Sequence, residues 1–167
     1  KELLWFLRGD TDAKILQKQN VFIWDLNTSK EFLESRGLDY EEGVLGPGYG
    51  WSWRHFGGTY DQRYSDTSKL TSSCLERIGF DQISYVEKLL KTDPYSRRIY
   101  INAWDPTVLD QVALPPCHLG VQFYVTENKE KKQELNCHVY LRSNDTFLGC
   151  PYNIFSYTVL LYILAKK

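Results

Sequence analysis

Apolar residues at two different spacings predict that helices and strands alternate along this chain, as in an α/β protein. Apolar positions three and four residues apart are typical of helices, whereas strict alternation of apolar and polar residues is typical of strands. The helical segments are 2–7, 12–19, 28–37, 81–92 and the strongly apolar 152–165, which we expect to be a buried helix. The predicted strands are 51–55, 99–104, 118–125 and 135–142, and the polar residues 57–79 are predicted to be a surface excursion.

Capping residues and helix breakers mark several of these boundaries. Gly9 stops the first helix, and Asp12 is placed to cap the second. Thr28 and Glu31 have the spacing of a capping box. The glycine-rich loop 43–50 lacks the Lys-Ser/Thr ending of a phosphate-binding loop and is not a dinucleotide fingerprint. It therefore either approaches a ligand closely or simply turns a corner.

Composition and charge exclude several classes of function. The chain has 167 residues, of which 43% are hydrophobic, and this is enough for the core of one domain. Its net charge of -1 predicts no general affinity for DNA or for anionic membranes. The apolar run 152–165 is shorter than the roughly 20 residues that a membrane span requires. We therefore expect neither a membrane nor DNA as partner.

The four cysteines show no paired metal-ligand spacing, so we predict thiols in a reducing compartment and no metal site. This favours the cytoplasm and leaves nuclear or mitochondrial pools open. The chain begins at Lys1 within a helical pattern and closes directly after its apolar helix. We expect residues 1–167 to be a single domain that is cut at both ends from a longer polypeptide.

The segment Leu114-Pro115-Pro116-Cys117-His118 singles out one cysteine. Its two successive prolines give the chain a rigid, non-helical approach to Cys117. The last predicted strand ends at Arg142, and a guanidinium brought close to a thiol favours the thiolate. Most cysteines are small buried hydrophobic residues, so residue type alone leaves a nucleophile and a core residue both open.

Five other positions have a structural interpretation, and four of them have a functional one as well. Glu2 lies among apolar residues and is either a solvated carboxylate at a helix start or an acid facing a pocket. Arg97 and Arg98 are either a solvated pair or an anion or interface site. Asn153 is either a helix cap or an amide that recognises an edge with one donor and one acceptor. Trp24 is interpreted as a core residue on frequency alone.

Several short motifs occur along the chain in one fixed order, and each motif alone is weak. They are ELLWFLRGDT from Glu2, Ile23-Trp24-Asp25, Leu45-Gly46-Pro47, Trp53-Arg54-His55-Phe56-Gly57, Ser96-Arg97-Arg98-Ile99, ALPPCH ending at His118, Gln122-Phe123-Tyr124-Val125, Arg142-Ser143, Leu148-Gly149 and Asn153-Ile154. Their joint order is very specific. By these motifs the chain closely resembles the thymidylate synthase family over essentially its whole length.

The resemblance implies a fold and an assembly. The thymidylate synthase fold is an α/β (α+β) arrangement in which a large mixed β-sheet carries helices on one face. The other face of that sheet forms the contact of a homodimer. Arg97 and Arg98 would then reach the nucleotide phosphate across the dimer interface. The resemblance leaves open whether the synthase is fused to a dihydrofolate reductase.

The activity implied is the reductive methylation of dUMP to dTMP, with 5,10-methylenetetrahydrofolate as cosubstrate and dihydrofolate as product. Cys117 would add to uracil carbon 6 as the thiolate, and Asn153 would read the uracil edge. The catalytic set is Cys117, Glu2, Arg142, Tyr49 and His118. The dUMP set is Arg142, Ser143, Asn153, Arg97, Arg98 and Asp145. The folate set is Ile23, Trp24, Asn27, Leu114, Asp145, Leu148, Gly149 and Tyr152.

The chain also departs from the family pattern. Leu141 stands where the family almost always has glutamine. The family's N-terminal arginine loop, its later His-x-Tyr segment and its C-terminal tail have no counterpart within residues 1–167, so we expect this piece alone to turn over poorly. Two alternatives stay open. One is a pyrimidine-nucleotide hydroxymethyltransferase of the same fold, and the other is an inactive remnant that acts as a binding or subunit-pairing module.

Overall fold

A computed structural model of the chain describes residues 1–70 and 78–166, which divide between two compact units. The first unit comprises Lys1–Asp81 and Ala103–Pro116, and the second comprises Gln82–Asn102 and Cys117–Lys167. The middle of the predicted polar excursion, which includes Cys74, lies outside the described residues.

Helices and strands both occur, which confirms the predicted α/β class. The helices of the described residues are α1 (Glu2–Arg8), α2 (Lys14–Gln17), α3 (Lys30–Ser35), α4 (Tyr49–His55), α5 (Gln82–Thr92) and α6 (Gly149–Ala165). The strands are β1 (Tyr100–Asn102), β2 (His118–Glu127) and β3 (Gln133–Leu141). Short 3-10 turns occupy Leu26–Thr28, Gln62–Tyr64, Thr67–Lys69 and Pro106–Val108.

In the first unit, α1 confirms the first predicted helix and extends it by one residue. Leu3, Trp5 and Phe6 are buried on its inner side. Gly9 ends the helix in the left-handed conformation, with φ +85°, and its N–H donates to the carbonyl of Phe6 at 2.9 Å. A Cβ at Gly9 would lie 3.2 Å from the side chain of Arg54, so the glycine also allows α4 to pack closely against α1.

The strand predicted at 51–55 is wrong, because these residues belong to α4. Five alternating residues are too few to separate the two periods. Tyr49 and Trp53 both contact Phe6 of α1, with ring centroids 4.9 and 5.6 Å from its ring. Residues four apart are neighbours on a helix but lie about 13 Å apart along a strand, so a shared contact of this kind requires the helix.

The cap predicted for the third helix is also wrong by one residue. The Thr28 hydroxyl donates to the carbonyl of Trp24 at 2.9 Å, so it belongs to the preceding turn. Ser29 has extended backbone angles and accepts a hydrogen bond from the Phe32 N–H at 3.2 Å, which makes it the cap of α3. α2 covers only part of the predicted segment 12–19.

The described part of the polar segment 57–79 is more buried than a surface excursion would be. The carbonyl of Ser65, a buried residue, accepts the N–H groups of Thr11 and Asp12 at 2.8 and 2.9 Å. The Thr67 N–H and hydroxyl both donate to the buried carboxylate of Asp10. Polar residues without a period can therefore belong to a packed structure when a buried carboxylate collects their hydrogen bonds.

The second unit contains an antiparallel sheet in the order β1-β2-β3. The described strands thus form a smaller sheet than the large mixed one we expected, and it contains no parallel pair. A short hairpin joins β2 to β3, and such a connection requires antiparallel pairing. Ile101 pairs with Val121, and Phe123 lies buried beside them, so the sheet has one apolar face.

α5 confirms the helix predicted from residue 81 and buries Ile83 and Val86. The side-chain amide of Gln82 binds the backbone of Asn102 twice. Its Nε2 donates to the carbonyl at 2.7 Å, and its Oε1 accepts from the N–H at 2.8 Å. The buried Gln82 amide thus pairs with the β1 backbone as a neighbouring strand would, and it holds α5 against β1.

α6 is a helix, as predicted, but the prediction that it is buried is wrong for most of its surface. Tyr157, Leu160 and Leu164 are buried, whereas Tyr162 is 66% exposed and Ile154 is 64% exposed. The helix packs against β3 on one side, and a helix covered on one side buries only one stripe. Within 1–70 and 78–166, none of the helices combines the length and hydrophobicity that crossing a bilayer requires.

Candidate active site

The structure brings Cys117 and Arg142 together at one end of the β2–β3 pair. Cys117 directly precedes β2 and Arg142 directly follows β3, and the Arg142 N–H donates to the Cys117 carbonyl at 3.0 Å. A register irregularity between His118 and Gly120 lies beside this contact. The Arg142 side chain reaches back, so that its Nη2 lies 3.8 Å from the Cys117 Sγ. The contact that strand positions suggested is therefore present.

The surroundings of Cys117 differ from those of the other half-buried thiol in this sheet. Cys117 is half-buried, and the guanidinium beside it is exposed to solvent. Cys137 lies within β3, where burial raises the pKa of its thiol. A positive charge next to sulfur favours the thiolate, whereas burial without a charge favours the thiol. Cys117 therefore lies beside a cation, whereas Cys137 is a thiol whose ionisation is opposed by burial.

His118 links β2 to α6. The Tyr157 hydroxyl lies 3.1 Å from His118 Nδ1, and Tyr157 is buried. Burial lowers the pKa of His118, and a hydrogen bond with the Asn153 side chain partly opposes that decrease. Asn153 Nδ2 also donates to Asn144 Oδ1 at 3.3 Å. The predicted residues His118 and Asn153 therefore belong to one hydrogen-bonded group.

The loop between β3 and α6 is organised by Asp145. Its Oδ1 accepts the N–H groups of Leu148 and Phe147 at 2.7 and 2.9 Å, and its carbonyl accepts from Cys150 at 2.7 Å. The hydrogen bonds from Leu148 and Phe147 lower the pKa of Asp145, so this residue is a carboxylate. Asp145 therefore caps this turn. Ser143 is exposed within the same loop.

In the first unit, Glu2 forms a hydrogen bond with a predicted folate residue. The Trp24 Nε1 donates to Glu2 Oε1 at 2.8 Å. Burial raises the pKa of Glu2, and the hydrogen bond from Trp24 partly opposes that increase. Tyr49 is buried, and its ring lies edge-on to that of Trp24 at 6.1 Å. The interpretation of Glu2 as a freely solvated carboxylate is therefore wrong.

The remaining predicted folate residues differ in exposure. Ile23 is 58% exposed in the first unit, where Asn27 and Leu114 are half-buried. In the second unit, Leu148 and Tyr152 are exposed apolar residues on either side of the start of α6 at Gly149.

The adjacent arginines at the start of β1 are both exposed. Arg98 Nη2 lies 3.6 Å from a carboxylate oxygen of Asp93, and its Nε donates to the Ser96 hydroxyl at 3.3 Å. Arg98 therefore has a local ion pair. The carbonyl of Arg97 accepts from Gln122 Nε2 at 3.5 Å.

Sequence reasoning assigned no role to Tyr157 or Asn144, although both contact predicted site residues. A signal for Tyr157 was present, because it follows Asn153 by four residues on a predicted helix and must share its face. Asn144 carried no signal, since a loop side chain is positioned by the fold around it.

A separate cavity of about 230 Å³ occurs in the second unit. Its lining includes Leu90, Val125, Leu135 and Leu164, with Glu87 and Lys91 at the polar side. It contains none of the predicted catalytic or nucleotide-binding residues and no cysteine. The geometry around Cys117 is therefore the better guide to function.

Comparison with known proteins now identifies the family. A family model described as thymidylate synthase matches residues 1–167. The chain therefore belongs to the thymidylate synthase family.

Three relatives illustrate the match. The chain is 49% identical over 166 residues to the thymidylate synthase of Human herpesvirus 8 type P (isolate GK18), covering 99% of this chain and 45% of that protein. It is 48% identical to the thymidylate synthase of Saccharomyces cerevisiae, covering 99% and 53%. It is 48% identical to the bifunctional dihydrofolate reductase-thymidylate synthase of Zea mays, covering 99% and 30%. The chain thus spans about half or less of the length of these relatives.

Proposed function

We propose that the intact protein is a thymidylate synthase that converts dUMP to dTMP with 5,10-methylenetetrahydrofolate and releases dihydrofolate. In this proposal residues 1–167 form its catalytic core. The observation that carries it is the 3.8 Å contact between Arg142 Nη2 and Cys117 Sγ. Family membership supplies the reaction, and this contact supplies the nucleophile that the reaction needs.

Cys117 starts the reaction by adding to carbon 6 of uracil. The new sulfur–carbon bond moves the ring's double-bond electrons toward carbon 5, which becomes nucleophilic enough to attack the one-carbon unit of the folate. The guanidinium of Arg142 favours the attacking thiolate. Arg142 and Ser143, which are both exposed, also bind the nucleotide phosphate through charge-assisted hydrogen bonds.

Asn153 reads the base. Its amide accepts a hydrogen bond from uracil N3–H and donates one to the neighbouring carbonyl oxygen, and cytosine has the opposite pattern. Its bonds to His118 and Asn144 support this role because they restrict the amide. Glu2 handles proton transfer together with Tyr49 and His118. The raised pKa of Glu2 supports that assignment, since a general acid works best when its pKa approaches the working pH.

The folate binds against apolar side chains and one carboxylate. The exposed residues Ile23, Leu148 and Tyr152 offer apolar surface for its rings, and Asp145 accepts from the pterin. Leu114, Trp24, Asn27 and Gly149 complete the set by resemblance.

We further propose that the protein works as a cytoplasmic homodimer. Arg97 and Arg98 of one subunit reach the phosphate bound by the other. Their exposure supports this assignment, because an arginine that serves a second subunit must be accessible on its own.

The test is to incubate the intact protein with dUMP and 5,10-methylenetetrahydrofolate and to measure both products. Equal amounts of dTMP and dihydrofolate, the latter followed by absorbance, are expected. Tetrahydrofolate with a hydroxymethylated nucleotide would instead identify a hydroxymethyltransferase. Absence of turnover, together with failure to form a covalent complex with 5-fluoro-dUMP, would identify an inactive remnant.

A further inference from the structure

We propose that Tyr157 is a positioning residue that acts through His118 to fix the side-chain amide of Asn153, and so sets the preference for uracil over cytosine. The inference rests on the proposed function, because it concerns the nucleotide that the enzyme accepts. It concerns a residue that the reaction itself does not require to touch the substrate.

The first link is the contact between Tyr157 and His118. The Tyr157 hydroxyl lies 3.1 Å from His118 Nδ1, and the two rings are 5.4 Å apart at 59°. Tyr157 is 7% exposed, and a buried tyrosine hydroxyl usually has one defined partner. Burial of His118 lowers its pKa and so favours the neutral ring, which has one donor and one acceptor nitrogen. When the hydroxyl donates to Nδ1, the ring proton is held on the other nitrogen.

The second link is the contact between His118 and Asn153. A hydrogen bond joins His118 to the side chain of Asn153. At the other end of the same amide, Asn153 Nδ2 donates to Asn144 Oδ1 at 3.3 Å. Because the amide nitrogen of Asn153 faces Asn144, its oxygen is the atom left to face His118.

The orientation of this amide decides which base it matches. In the assigned orientation the oxygen and nitrogen still have one free site each, an acceptor for uracil N3–H and a donor for the adjacent carbonyl. Rotating the amide by half a turn exchanges these sites and creates the pattern that matches cytosine. The free energy that opposes this rotation therefore adds to the preference for uracil over cytosine.

The helix α6 explains why Tyr157 can hold this position. Asn153 and Tyr157 are four residues apart, so they lie one turn apart on the same face. Leu160 on the next turn is fully buried and anchors that face. The tyrosine hydroxyl is thus placed by the packing of the helix.

The first experiment measures dissociation constants of dUMP and dCMP for the intact protein by titration calorimetry. Tyr157→Phe keeps the ring and removes the hydroxyl, and we expect the preference for dUMP to fall about five- to tenfold, the effect of one hydrogen bond. The matched control is Tyr162→Phe on the same helix, where the side chain is 66% exposed, and it should leave the preference unchanged. In an Asn153→Ala background, Tyr157→Phe should have no further effect, because no amide is left to orient.

A second variant and a second measurement test the same inference independently. Asn144→Ala alters the other contact of the amide from an exposed loop, where folding is little affected, and it should also lower the preference. The nitrogen chemical shifts of His118, measured by NMR, should show one tautomer in the wild type and a mixture in Tyr157→Phe. An unchanged tautomer, or an unchanged preference in both Tyr157→Phe and Asn144→Ala, overturns this inference. A wild-type protein that neither binds dUMP nor turns it over overturns the proposed function instead.

Discussion

Glu2 in the first unit and Cys117 in the second have contrasting surroundings. Glu2 is shielded from water, and its hydrogen-bond donor is the neutral indole of Trp24 at 2.8 Å. Cys117 lies 3.8 Å from the full positive charge of Arg142, which is itself exposed. Burial favours the neutral form of an acid, whereas a neighbouring cation favours the anion. In the proposed reaction, this difference suits Glu2 for carrying a proton and Cys117 for attacking carbon.

The largest expected effect follows from removing the sulfur. Cys117→Ser replaces the thiol by a hydroxyl that the neighbouring charge ionises far less readily, so dTMP formation should fall by at least about 10⁴-fold. Mass spectrometry of the protein with 5-fluoro-dUMP and cosubstrate should show a covalent adduct for the wild type only. Cys137→Ser is the matched control, since burial raises the pKa of that thiol and the adduct should persist. An adduct on the Cys117→Ser protein would contradict the assignment of the nucleophile.

The next largest effect tests the charge that distinguishes Cys117 from Glu2. Arg142→Ala should lower kcat/KM for dUMP about 100-fold, because it removes both the thiolate's neighbour and a phosphate contact. The rate at which iodoacetamide alkylates Cys117 should fall as well, and this readout needs no substrate. Arg63→Ala, which removes an exposed arginine paired with Asp61, should change neither quantity. Unchanged alkylation in Arg142→Ala would show that the guanidinium does not activate the thiol.

Long periodic segments were predicted better than short ones. The observed β2 extends the predicted strand at one end, and β3 is displaced from its prediction by one or two residues, since runs of eight residues are long enough to indicate a strand. The run 51–55 was misassigned because its helical character depends on Tyr49 and Trp53 packing on Phe6. That packing joins residues more than 40 positions apart, which no local pattern contains.

Some features of the candidate site could also be predicted from the sequence, and others could not. The proximity of Cys117 and Arg142 was predictable, since both lie at ends of neighbouring strands. The helical spacing places Tyr157 on the face of Asn153, but it does not predict the contact between Tyr157 and His118, because that contact depends on how α6 lies against the sheet. The folate set came only from the family resemblance, since exposed apolar residues such as Tyr152 have no distinctive pattern in the sequence.

A smaller effect is expected in the pH dependence of stability. Because burial raises the pKa of folded Glu2, the folded state retains a proton that the unfolded state has released, and the free energy of unfolding falls as pH rises above about 4.5. Glu2→Gln has no such proton, so it should match the wild type in acid and become relatively more stable as pH rises toward neutral. Denaturant titrations at a series of pH values measure this. A constant difference between the two proteins would show that Glu2 titrates normally.

The smallest effect isolates the hydrogen bond that opposes the effect of burial on the pKa of Glu2. Trp24→Phe keeps a buried aromatic ring and removes the Nε1 donor, so it should cost about 1 kcal/mol of unfolding free energy. The loss should be larger above the pKa of Glu2 than below it, because a hydrogen bond to a carboxylate is stronger than one to a neutral carboxyl.

This hydrogen bond lowers the pKa of Glu2, so its removal raises that pKa further and extends the pH-dependent loss of stability to higher pH. Repeating Trp24→Phe in the Glu2→Gln background completes a double-mutant cycle. In that background the cost of Trp24→Phe should no longer depend on pH. A smaller, constant cost should remain, because the glutamine oxygen still accepts from the indole. If Trp24→Phe costs the same at every pH in the presence of Glu2, then the indole does not stabilise the ionised carboxylate, and burial alone determines how Glu2 titrates.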